Sequence, residues 1–193
     1  MKTKTWPLVA ALALIALAAV AAACGADHEQ SSNSGNATDA AFIADMTAHH
    51  EGAIEMARVA QKRAEHPEIR RLAGDIVAAQ KGEISVMKSI GRDMHGMSEH
   101  GDGHMGMSDA EMGMAMDPAE LEKAKPFDRA FIDAMVPHHR GAVAMAKQLL
   151  KKGEQPALRT MAQDIIEAQT KEIEQMRGWR KAWYGSAGMD VGG

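Results

Sequence analysis

The chain has 193 residues, a formal net charge of −4, 4% aromatic residues, 16 methionines, nine histidines and one cysteine. That length suits one domain of ordinary size, or two small halves sharing a core. No long basic block is present, which argues against a nucleic-acid partner, and a lone cysteine excludes an internal disulfide framework and a cysteine-based zinc site.

The N-terminus carries Lys2 and Lys4, an apolar run from Leu8 to Ala23, and then "AAAC" before Gly25. This is a signal-peptide pattern. A cysteine after small residues resembles a bacterial lipoprotein signal, in which Cys24 becomes the lipidated first residue of the mature chain. The expected organisation is a signal peptide over 1–23, then lipidated Cys24 and a polar, flexible tether to residue 38. The alternative is ordinary cleavage near Ala23, giving a free secreted or periplasmic protein. An uncleaved anchor fits less well, because the apolar run is shorter than the ~20 residues a span needs. Each reading puts the folded part outside the cytoplasm.

The remainder repeats itself. A shift of 89 residues lays Asp39–Met87 on Asp128–Met176 without a gap, and "MTAHHEGAIEMA" from Met46 falls on "MVPHHRGAVAMA" from Met135. Ungapped agreement over this length points to duplication of one supersecondary unit. Each unit reads as a helical hairpin. In the first (39–93), Phe42, Met46, Ala53, Met56, Ala57 and Ala60 recur at three- and four-residue steps. The pattern halts at Glu65-His66-Pro67, where proline suits the first turn of a new helix. The second (127–184) repeats this, with Gly153 as a helix stop and Pro156 as the next start. Four amphipathic helices in two hairpins predict an all-α four-helix bundle. Between the hairpins, 94–126 reads as a Met/His-rich linker ending in a short helix after Asp117-Pro118, and 185–193 as a flexible tail.

Helical spacing lets one stripe hold Met46, a histidine, Ala53 and Met56, while adjacent histidines diverge by about 100°. Neutral imidazole is a common metal ligand, and thioether selects Cu(I) over harder ions. The candidate metal positions in the helices are therefore Met46, His49, His50, Met56, Met135, His138, His139 and Met145. Packing is the competing reading, since a methionine stripe is usually core. Pro137 removes an internal hydrogen bond just before His138, so a kink is expected there. Asp75, Gln80 and Glu83 repeat as Asp164, Gln169 and Glu172. They are candidates to orient the histidines, or surface residues that survived duplication. No Glu-x-x-His set of the di-iron kind occurs on these helices.

The linker offers Met94, His95, Met97, His100, His104, Met105, Met107, Met112, Met114 and Met116. Exposed thioethers outside the cytoplasm invite oxidation, so their density suggests wrapping of a soft cation such as copper or silver. The competing reading is a linker of biased composition. No serine elbow, catalytic cysteine or phosphate loop is present.

The duplicated "M-x-x-H-H-x-G-A-(I/V)-x-M-A", followed by "A-x-D-I-x-x-A-Q-x-x-E-I-x-x-M", resembles the domain-of-unknown-function family DUF305. The resemblance covers roughly residues 39–183 and implies a ferritin-like helical bundle of the kind found in secreted bacterial copper-binding proteins. It implies the same eight helical Met and His positions as the metal site. One departure is Ala48 where the second half has Pro137. The expected function is extracytoplasmic binding of Cu(I), and of Ag(I), for sequestration, resistance or transfer to a copper-accepting envelope protein, without enzymatic activity. Two alternatives stand beside it: a ferritin-like redox enzyme using His-bound copper or iron, and a lipoprotein module that binds a partner protein.

Overall fold

The computed structural model describes residues 35–94 and 104–186. The signal and lipidation reading at Cys24, and the ligand readings at His95, Met97 and His100, lie outside the described residues. Among the described residues the chain is all-α. Its elements are α1 (Ala37–Arg63), α2 (Pro67–Asp93), a short α3 (Pro118–Lys123), α4 (Phe127–Lys152) and α5 (Pro156–Tyr184). None of these helices is long and apolar enough to cross a membrane.

Local chemistry sets the helix starts. Asn36 caps α1 by accepting from the amides of Thr38 and Asp39, and Asp39 reaches back to the Asn36 amide, closing a capping box. The helix thus claims Ala37 and Thr38, which the sequence pattern assigns to the tether. Proline occupies the first turn of α2, α3 and α5, where its missing N–H costs nothing. Gly153 does end α4, but with φ −77° rather than a left-handed turn. Space is the reason: a Cβ there would crowd the Leu149 side chain and the Asp39 carboxylate. α4 runs through Pro137 as one helix.

The hairpins are tied by a reciprocal pair of buried carboxylates. Asp39 on α1 accepts from the amides of Glu154 and Gln155 in the α4–α5 turn. Its repeat partner Asp128 on α4 accepts from the amides of Glu65 and His66 in the α1–α2 turn. Each hairpin thereby caps the other's bend, satisfying donors that helix starts leave orphaned.

The interior falls into two apolar clusters. One contains Ala53, Met56, Ile69, Ile76, Phe131, Met135 and Met176. The other contains Phe42, Met46, Met87, Ala142, Met145, Leu158 and Ile165. The 89-residue shift exchanges Phe42 with Phe131, Met46 with Met135, Met56 with Met145 and Met87 with Met176, so the duplication maps one cluster onto the other. Along α1 the clusters meet at His49-His50; along α4 they meet at His138-His139.

Candidate metal centre

Four histidines occupy that junction, all essentially out of solvent: His49, His50 and His139 are 0% exposed and His138 is 2% exposed. Gly52 on α1 faces His138 on α4, with His138 Nε2 3.6 Å from where a Cβ would sit. The rings of His49 and His138 lie 3.7 Å apart between centroids, tilted by 38°. On each helix the adjacent ring is more than 6 Å away, at 6.3 Å for His49–His50 and 6.5 Å for His138–His139. The outer rings turn toward the second helix of their own hairpin. His50 Nε2 donates to Glu83 Oε2 at 2.6 Å, and His139 Nε2 donates to Glu172 Oε2 at 2.7 Å. A carboxylate on Nε2 holds a proton there and turns Nδ1 away from it, the arrangement that orients metal-ligating histidine.

The inner rings are held differently. His49 Nε2 donates to the Met112 carbonyl oxygen at 2.8 Å, whereas His138 has no side-chain or strap partner, only a weak contact with the His49 backbone. Counting Nδ1 of His49, His50 and His139, five buried imidazole nitrogens lack a well-formed hydrogen bond, together with the side-chain oxygens of buried Gln80 and Gln169. Burial lowers the pKa of His49 to about 4 against a usual 6.5, with the Met112 hydrogen bond working in the opposite direction, and burial holds His138 well below 6.5 too. Both inner rings are neutral at physiological pH and carry a free lone pair. Leaving buried polar atoms unpaired costs about 1–3 kcal/mol each, an expense that packing alone does not explain.

The helical methionines complete the surroundings. Met46 and Met145 lie buried in one cluster and Met56 and Met135 in the other, so thioethers flank the histidines on both sides. Asp75 and Asp164 do not join the site; they are exposed and line an open groove between α2 and α5 with Lys171 and Glu172. Among the described residues no three His, Cys, Asp or Glu side chains converge as a metal-ligand group.

The connection between the hairpins also departs from its sequence reading. Its described part is a strap laid on the bundle rather than a display of exposed thioethers. Met94 and Met105 are buried, and Met107 and Met112 pack against the same cluster. Met116 packs against the other cluster, and Met114 is half-buried. Asp45 clamps the strap's start by accepting from the Met105 amide at 2.6 Å and from His104 Nδ1 at 2.8 Å, and that carboxylate raises the His104 pKa. Gly113 adopts φ 70°, a conformation that favours glycine, and sits where any Cβ would strike the Pro137 carbonyl. A Cβ on Gly141 would strike the Met112 carbonyl. Sequence reasoning missed Asp39, Asp128, Asp45 and the Met112 carbonyl. Asp39 and Asp128 open the repeat and could have been singled out on that ground; a backbone carbonyl has no sequence signature.

The family model for DUF305, a domain of unknown function, matches residues 39–180. CopM in its Cu(II)-bound form superposes with a TM-score of 0.67 at 40% identity, over 76% of this chain and 97% of that one. CopM in its Cu(I)-bound form gives 0.65 at 39% identity, over 76% and 98%. A DUF305 protein from Streptomyces coelicolor, described as secreted, gives 0.70 at 28% identity, over 84% and 100%. A curated relative, an uncharacterized protein of Acanthamoeba polyphaga mimivirus, is 35% identical over 49 residues, so this chain matches only 32% of that protein's length.

Proposed function

This chain belongs to the DUF305 family, and from that premise we propose that it binds copper as Cu(I), and Ag(I) in the same way, for sequestration or hand-over outside the cytoplasm. The observation that carries this reading is the set of buried imidazole nitrogens without a well-formed hydrogen bond at the junction of two methionine-lined clusters. The residues fit the ion. His49, His50, His138 and His139 would supply nitrogen, and Met46, Met56, Met135 and Met145 would supply sulfur. Soft thioether with neutral imidazole is the donor set that selects Cu(I). The methionines flanking the histidines would supply the further ligands, which suits a soft ion rather than a hard one. Support also comes from CopM, which has been solved in Cu(I)-, Cu(II)- and Ag-bound forms.

We read the protein as a binder rather than an enzyme, since the histidines are buried and the strap covers the face at His49 and Gly141. Lipid anchoring at Cys24 remains part of the proposal on the sequence pattern alone, as does a copper-accepting envelope partner.

The test is an anaerobic titration of the chain with Cu(I) against a chromogenic chelator. Alongside it run one variant with residues 94–116 replaced by a Gly/Ser loop and one with all four histidines changed to alanine. Tight Cu(I) uptake that collapses in the four-alanine variant supports the reading. Uptake no greater than that of a methionine-poor control bundle overturns it.

A further inference from the structure

The duplication provides two equivalent faces beside the histidine junction, one at Gly52 on α1 and one at Gly141 on α4. They are treated unequally. The strap fills the face at Gly141, which is buried beneath the Met112 carbonyl. The equivalent Gly52 is only half-buried, and the one group within reach of a Cβ there is His138 Nε2, at 3.6 Å. The clamp that seats the strap is likewise unduplicated, because Asp45 has Ala134 as its repeat partner.

The same asymmetry divides the four rings. His50 is held at Nε2 by Glu83, His139 by Glu172 and His49 by the Met112 carbonyl. In all three the contact is made at Nε2 and Nδ1 is turned away from it. His138 has no carboxylate or strap carbonyl on either nitrogen, only a weak contact with the His49 backbone. A ring without a carboxylate or strap carbonyl to fix its tautomer can present either nitrogen, and half-buried Gly52 lies beside it.

We propose that the strap is a positioning element that fixes the His49 tautomer through the Met112 carbonyl, and that His138 is the receiving ligand, reached by a soft metal ion past Gly52. This rests on the metal-binding reading and goes beyond it by assigning different roles to residues the duplication made equivalent. Two glycines separate those roles. Gly141→Ala places a methyl where the Met112 carbonyl now sits and must lift the strap. Gly52→Ala places one in ordinary contact with His138 Nε2, so the fold accepts it while the approach narrows.

The experiment follows the ring nitrogens of the whole chain by two-bond ¹H–¹⁵N correlation before and during addition of Ag(I), which is redox-silent in air, with binding counted independently by native mass spectrometry. In the metal-free protein His49 is expected as the Nε2–H tautomer, lost in Gly141→Ala but kept in Gly52→Ala. On silver addition His138 is expected to shift first, and Gly52→Ala is expected to take up silver more slowly than the parent. If silver binds but His49 keeps its tautomer in Gly141→Ala, or Gly52→Ala takes up silver at the parent rate, the division of roles is wrong while the metal-binding reading stands. If silver does not bind at all, both fall.

Discussion

His49 and His138 occupy equivalent positions in the duplicated hairpins, touch each other across the junction, and differ in what restrains them. His49 donates to a strap carbonyl; His138 has no strap or side-chain partner. The outer pair, His50 and His139, keeps its symmetry down to matching carboxylates on α2 and α5. The difference teaches how a repeat loses equivalence without losing residues. A connection between two copies passes only once, so it can dress one copy and must leave the other bare. No substitution at the histidines is needed.

The largest expected effect tests the symmetric frame. Asp39→Ala and Asp128→Ala each strip a buried carboxylate from the amides of the opposite turn, a loss of about 3–5 kcal/mol readable by denaturant unfolding. The two losses should be similar, because each carboxylate accepts a third hydrogen bond besides the two turn amides: Asp39 from the Asn36 amide at 2.8 Å and Asp128 from His66 Nδ1 at 2.6 Å. A large inequality would mean that one of these third contacts contributes little.

The second effect belongs to the inner pair. Burial lowers the His49 pKa from 6.5 to about 4, so the unfolded chain binds its proton first as pH falls. Stability from the neutral ring is complete above pH 6.5 and drains away as pH drops toward 4. This group contributes about 3 kcal/mol across that window, and His138 acts in the same direction. Unfolding measured from pH 7 to pH 4 should show the slope. His49→Gln should flatten it, and an unchanged slope would place the acid sensitivity elsewhere.

A third effect sharpens the outer pair. Glu83→Gln and Glu172→Gln should each weaken Ag(I) or Cu(I) binding about tenfold, and by similar factors, because the two contacts are equivalent. A large inequality in competition titrations would show that asymmetry reaches beyond the inner rings. The smallest effect is expected at Asp75→Asn and Asp164→Asn, which are exposed and should shift stability by less than about 0.5 kcal/mol without altering metal affinity.

The helices, the hairpin order and the histidine pairs were legible because periodicity and repetition are properties of residue identity. Pro67 and Pro156 mark real helix starts for the physical reason that a first-turn N–H is dispensable. Gly141 and Gly113 could be noticed but not explained, since what they accommodate is the backbone of a distant segment. The strap itself was misread as a loose chain of exposed methionines. Composition reports what a segment contains, but Met105 is buried because Asp45 and Gln148 hold its backbone, and such pairings have no period. Asp75 and Glu83 share a repeat and a helix, yet only Glu83 reaches a ring.

The exchange of the two apolar clusters by the repeat has a genetic corollary. Each cluster takes side chains from both hairpins, so neither half of the sequence encloses an interior of its own. An ancestral gene for a single hairpin could have made a folded product only by pairing with its twin, with identical histidines facing across the seam. Fusion of two such genes would have turned an encounter between molecules into a covalent certainty, and only then could one face of the seam acquire a feature that the other lacks.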